Sequence, residues 1–170
     1  MLTREQYLNA IRAEVQVIKH LASKAPKEKL EYRPTPKQRS LQELLAHLPT
    51  NLAISKQLIS GDWSDIQPYL QKVREDAQKD LNGTLDRCLE EFTERVGKIP
   101  ETDFQNREVP LPTGQKARLG DALLNFPLKF LTGYKMQLFL YLKSCGREEL
   151  NTLNCWFGID GEMGGPPQKK

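Results

Sequence analysis

Apolar residues recur along this chain at steps of three and four, the spacing that lines one face of an α-helix, and strict alternation is scarce. Leu8, Ile11, Val15, Ile18 and Ala22 form a first stripe, preceded by Thr3 and Gln6 in a capping-box arrangement. This predicts a helix from Thr3 to about Lys24, with His20 roughly opposite Ile18 on its solvated outer side. Ala25 to Arg39 carries Pro26, Pro34 and Pro36 and reads as a connecting loop, with room for one helical turn at Pro26-Lys27-Glu28-Lys29.

A second helix is predicted from Leu41 to about Ser60. Ser40 and Glu43 form its capping box, and Gly61 ends it. Its inner stripe is Leu44, His47, Leu48, Asn51, Ile54, Ser55 and Leu58. Pro49 lies inside it and has no amide for the carbonyl of Leu45, so a bend is expected there. Asp62 to Ala77, with Trp63 and Pro68, has weak periodicity and receives no element. A third helix is predicted from about Lys79 to Gly97, through Leu81, Leu85, Cys88, Leu89, Phe92 and Val96. Asn82-Gly83 weakens its first turns.

Ile99 to Ala117 is rich in proline. Glu108–Leu111 and Gln115–Ala117 flank Pro112-Thr113-Gly114, a pattern that fits a short hairpin. The fourth helix, Arg118 to Ser144, is the most hydrophobic. Leu119, Leu123, Phe126, Phe130, Tyr134 and Tyr141 make one row and Leu124, Leu128, Leu131, Phe139 and Leu142 a second, so burial on most sides is expected. Pro127 should bend it, and Gly146 stops it. Glu148 to Phe157 reads as a short amphipathic helix packing back through Leu150, Leu153 and Trp156, and Gly158 onward reads as a mobile tail. The expected architecture is all-α: one four-helix bundle over residues 1–157, a short C-terminal helix, a small hairpin before the last long helix, and a flexible tail over 158–170.

Composition narrows the function classes. At 38% hydrophobic and 28% charged, the 170 residues suffice for one ordinary globular domain. The 25 basic and 22 acidic residues are interspersed, so no basic patch is expected and nucleic acid is not an expected partner. Asp121, Lys129 and Lys135 interrupt the most apolar stretch, so no membrane partner or span is expected, and Arg4, Glu5, Arg12 and Glu14 leave no apolar leader. Cys88, Cys145 and Cys155 are far apart with no CxxC pair, which suits a reducing compartment, and the cytoplasm is the expected location. Cys88, on a helical stripe, reads as a small core residue. No GxxxxGK[ST], GxGxxG or GxSxG motif is present. With one inward histidine and no carboxylate close in sequence, neither a Ser-His-Asp nor a Cys-His arrangement is indicated, and no catalytic residue is assigned.

Two segments carry a family resemblance: Tyr32-Arg33-Pro34-Thr35-Pro36 with Arg39-Ser40-Leu41 and His47-Leu48, and Tyr134-Lys135-Met136-Gln137-Leu138 with Tyr141-Leu142 and Gly146. In order and spacing this pattern resembles the DinB-like family of four-helix bundles, which includes bacterial thiol transferases, over roughly residues 4 to 157. The resemblance implies a divalent metal, often zinc or nickel, held by one histidine of the second helix and two, four residues apart, of the fourth. Such an i, i+4 pair faces one way, and the third imidazole leaves an open position for water or substrate. Here the first position matches His47, and the other two fall on Phe130 and Tyr134. Phenylalanine cannot coordinate, and the chain has only two histidines. No metal ligand and no cofactor are therefore expected.

Three readings of His47 stay open. It can be a buried neutral imidazole bonded to a neighbour such as Tyr134, a member of a metal-free ligand pocket with Asn51, Phe130, Tyr134 and Gln137, or a ligand in a degenerate or partner-completed metal site. The favoured expectation is a non-catalytic or metal-free protein whose partner is a small molecule or a second copy in a homodimer. The competing expectation is a metal-dependent thiol transferase or hydrolase.

Overall fold

Residues 2–162 are described by the computed structural model, which is all-α apart from one two-stranded hairpin. Helix α1 (Arg4–Ser23) forms where the first stripe predicts it, and both bonds of its capping box are made: Thr3 Oγ1 accepts from the Gln6 amide at 3.1 Å and Gln6 Oε1 from the Thr3 amide at 3.0 Å. Leu8, Ile11, Val15 and Ile18 are buried, joined by Tyr7, Val17 and Leu21.

The single second helix expected over Leu41–Ser60 is divided into α2 (Leu41–His47), α3 (Thr50–Ala53) and α4 (Ser55–Ser60). The first break follows from Pro49. With no proline amide available, the Leu45 carbonyl takes the Leu48 amide at 3.2 Å in a tighter i−3 bond. Gly61 ends α4 with φ +75°, and a Cβ there would lie 2.7 Å from the Pro110 ring, so glycine meets both demands.

The stretch left without an element contains α5 (Ile66–Lys79). Its Pro68 stands in the first turn, where an amide has no intrahelical partner to lose, and Leu70, Val73 and Ala77 are buried at steps of three and four. Asp80 then interrupts the chain, so α6 (Leu81–Gly97) starts later than predicted; Asp80 accepts from the Gly83 amide at 2.9 Å. A Cβ at Gly83 would fall 2.2 Å from an Asp80 carboxylate oxygen, so the residue that weakens the turn also admits its cap. Leu85, Cys88, Phe92 and Val96 are buried as predicted, and burial pushes the Cys88 thiol up to about 11.

A further helix, α7 (Glu101–Asn106), lies in the expected loop and buries Phe104. The short hairpin is present as β1 (Glu108–Pro110) and β2 (Lys116–Arg118), antiparallel, with Val109 opposite Ala117. The fourth helix is divided into α8 (Leu119–Leu123), a π-helical turn at Leu124–Leu128 and α9 (Lys129–Ser144). Pro127 leaves the Leu123 carbonyl without its i+4 amide, and the buried Tyr7 hydroxyl donates to that carbonyl at 3.0 Å.

α1 packs on α6 and α9, α6 on α5, α5 on α2, and α2 on α9, so the contacts close around one core. Burial of the last helix on most sides is only partly realised: Phe130 and Leu140 remain 38% and 54% exposed. α10 (Thr152–Phe157) is shorter than expected and buries Asn154 and Cys155; Trp156, expected to pack inward, stays 49% exposed. Its ring instead covers the Lys135 ammonium, 4.4 Å from the ring centroid. Lys135, 1% exposed, pairs with Glu14 Oε2 at 2.9 Å, so this interruption of the apolar run is buried with a counter-ion.

His20 is not solvated on an outer face. Its side chain is 15% exposed, with Nε2 3.2 Å from the Asn154 amide nitrogen and 3.6 Å from Asp160. Lys24 also holds Asp160, at 2.6 Å, so the start of the segment expected to be a mobile tail lies against α1; residues 163–170 of that expectation fall outside the described residues. Among the described residues no helix is long and apolar enough to cross a membrane.

Candidate functional site

His47 closes α2, whose start is held by the predicted capping box: Ser40 Oγ accepts from the Glu43 amide at 3.2 Å and Glu43 from the Ser40 amide at 2.7 Å. Arg33 reinforces that turn with two bonds to Glu43, at 2.8 and 3.2 Å. Seven residues after the cap, the His47 ring meets the Tyr134 ring edge-on, with centroids 4.7 Å apart and planes at 88°. The contact with Tyr134 is thus between ring faces and edges. The hydrogen-bond partner of His47 is Thr50, whose Oγ1 lies 3.1 Å from Nδ1.

The same hydroxyl lies 2.6 Å from the His47 carbonyl, and only the hydroxyl can donate in that pair. Its one proton is therefore committed, and the Nδ1 contact requires the imidazole to donate. This assigns the Nδ1–H tautomer and leaves the Nε2 lone pair free. Burial first, then the nearby guanidinium groups of Arg39 and Arg74, push His47 down from 6.5 to about 4. The ring is neutral at physiological pH.

Tyr134 joins the other candidates on α9. Phe130 packs at 6.4 Å from it and Phe126 at 5.6 Å from Phe130, both nearly edge-on. Phe130, Tyr134 and Gln137 line an open groove of about 310 Å³ with Lys129 and Gly133. Gln137 donates to the Tyr141 hydroxyl at 2.9 Å, and Tyr141 donates to the Arg39 carbonyl at 3.1 Å, tying α9 to the chain that enters α2. Asn51 does not join this wall. Its amide is spent on the Leu48 and His47 carbonyls, at 3.0 and 3.4 Å, where Pro49 disrupts the helix ladder.

Two residues at the site were not among the pocket candidates read from sequence, although Arg39 belongs to the pattern that carries the family resemblance. Arg39 directly precedes the Ser40 cap, and its guanidinium carbon lies 5.8 Å from the Tyr134 centroid. Arg74 comes from α5, which lies in the stretch given no element from sequence. Arg39 and Arg74 line a cleft of about 250 Å³ between α2 and α5, together with Glu43, Ala46 and Gln71.

The donor set does not fit the metal centre that the family resemblance implies. His47 offers one imidazole nitrogen, Phe130 offers none, and among the described residues no three His, Cys, Asp or Glu side chains are grouped to hold an ion.

The chain is 26% identical over 152 residues to an uncharacterized protein, YjoA, of Bacillus subtilis (strain 168), an alignment spanning 88% of this chain and 96% of the relative. No family model matches the sequence. No solved structure matches it either.

Proposed function

We propose that the chain is a DinB-like four-helix bundle that recognises a small organic molecule through a metal-free groove lined by Phe130, Tyr134 and Gln137, with His47 packed edge-on against Tyr134. The observation that carries this reading is the edge-on pair of a neutral His47 and Tyr134, with Phe130 where a second imidazole would stand. A neutral imidazole with a free Nε2, a phenol and a carboxamide offer hydrogen bonds beside an aromatic wall, the mixture typical of small-molecule sites. The three buried thiols, all unpaired, suit the cytoplasmic location that goes with this reading. Elemental analysis of freshly purified protein, with native mass spectrometry of the same sample, provides the test. The expected result is substoichiometric zinc and nickel; near-stoichiometric metal that disappears in His47→Ala would overturn the proposal.

A second reading, self-association through α9, is favoured by Phe130 and Leu140 on either side of Gly133, where an added Cβ would meet nothing within 4 Å. Sedimentation is expected to show a concentration-dependent dimer that Leu140→Glu disperses. A pure monomer at high concentration removes this reading.

A further inference from the structure

Most arginines of this protein are spoken for. Among the described residues Arg12, Arg33, Arg87, Arg95, Arg118 and Arg147 each meet a carboxylate within 4 Å, while Arg4 and Arg107 donate to the carbonyls of Ile99 and Ile59. Arg39 and Arg74 do neither. Arg39 makes only its contact with the Tyr134 ring, and Arg74 reaches Gln71 at a marginal 3.5 Å. These two line the same cleft between α2 and α5.

Two carboxylates line that cleft. The Glu43 carboxyl is held below its ordinary value first by its bond to Arg33 and in part by the charge of Arg39, but neither Arg39 nor Arg74 has a carboxylate within 4 Å among the described residues. Glu43 is turned to Arg33 and to the Ser40 amide, and Glu75 accepts from Gln71 Nε2 at 3.1 Å. The lining carries two positive and two negative groups, and Arg33, outside it, takes up Glu43 at 2.8 Å. Both guanidinium groups also lie close enough to His47 to add to the effect of burial in disfavouring its protonation, although Arg39 is exposed and Arg74 half-buried at the mouth of the cleft. An arginine pair beside an aromatic ring, with no carboxylate in ion-pair contact, is suited to clamp a planar carboxylate or a phosphate.

We propose that the cleft between α2 and α5 binds the oxyanion of a small molecule, a carboxylate or a phosphate, through Arg39 and Arg74. The inference deepens the small-ligand reading above by naming the charged end of the ligand. Gln71 lines the same cleft and supplies a neutral donor or acceptor beside the two cations. The remainder of the ligand would extend along Tyr134, whose ring Arg39 already covers.

The test is an NMR titration of the 15N-labelled full chain with inorganic phosphate and, separately, with succinate, at constant ionic strength set by sodium chloride. At least one anion is expected to give saturable amide shifts at Ala46, Gln71 and Gln78, and either saturating supports the site. Saturation by phosphate alone assigns a phosphoryl ligand, and by succinate alone a carboxylate. Arg39→Gln and Arg74→Gln should each weaken that binding about tenfold, equivalent to losing one charge-assisted contact. Lys116→Gln, on the hairpin, should leave it unchanged. Dispersed spectra of the variants separate lost binding from lost folding, with Arg39→Lys and Arg74→Lys as substitutes if a glutamine variant fails to fold. The proposal is overturned if neither anion saturates, if the shifts map elsewhere, or if both arginine variants bind as the parent does. Because this readout is independent of metal content, a metal-loaded protein would sink the pocket reading without deciding the cleft.

Discussion

His47 shows how one residue's surroundings decide its chemistry. Its imidazole is half-buried, its Nδ1 proton is directed at Thr50, and two guanidinium groups oppose any further proton. The folded-state value near 4 lies below the ordinary 6.5, so the unfolded chain takes up the proton first as the pH falls. The sign follows: the stabilisation is fully present above pH 6.5 and is lost progressively as the pH drops toward 4. A shift of this size, discounted for the ring's partial exposure, corresponds to about 2 kcal/mol. Urea unfolding at pH 7.5 and pH 4.5 should therefore show the parent losing about 2 kcal/mol more than His47→Gln, since the carboxylates titrate alike in both. Equal losses would mean that the imbalance around this ring is not felt by folding.

At the scale of elements, what was legible in the sequence is what local contacts decide. α1 and α6 bury long stripes at helical spacing, and their ends obey side-chain caps a few residues away, so pattern and structure agree to within a residue or two. The hairpin β1–β2 was legible for the same reason: its turn residues lie between its strands. α5 was not, because Leu70, Val73 and Ala77 are a thin stripe set among Gln71, Lys72, Arg74 and Glu75. A helix that leans on α2 and α6 with one narrow face needs few apolar residues, so its helical period persists while its low overall hydrophobicity and Pro68 hide it. The prolines were read correctly as disruptions, but what relieves each lies outside the local pattern. Pro49 is accommodated by a tighter bond within its own turn, whereas at Pro127 the helix widens to a π turn and the Leu123 carbonyl also accepts from Tyr7, 116 residues away. The candidate site divides along the same line. His47 and Tyr134 were paired through a family pattern that also contains Arg39, yet Arg74 reaches that site only through the packing of α5 on α2.

Over the whole molecule, α9 serves two neighbourhoods with consecutive side chains. Tyr134 faces the His47 site, while Lys135, about 100° further around the helix, enters the seam between α1 and α10. There its ammonium lies 2.9 Å from Glu14 Oε2 and 4.4 Å from the Trp156 ring centroid, and Thr132 donates to the other Glu14 oxygen at 3.1 Å. One buried charge therefore joins the first helix, the last long helix and the C-terminal segment, which Lys24 and Asn154 further fasten through Asp160. The desolvation of such a pair costs nearly as much as the attraction returns, so its deletion matters more than its presence. Glu14→Ala strands the ammonium in an apolar seam, and chemical denaturation should show a loss of about 3 kcal/mol. Glu14→Gln combined with Lys135→Met removes both charges and fills the space with similar volume, so the double variant should recover most of that loss. Trp156→Ala should cost only about 1 kcal/mol, because it removes a cation–π contact while leaving the ion pair intact. If Glu14→Ala and the double variant were equally destabilised, the seam would be held by side-chain volume and not by charge, and the interruption of the apolar run at Lys135 would have no electrostatic role in joining the three elements.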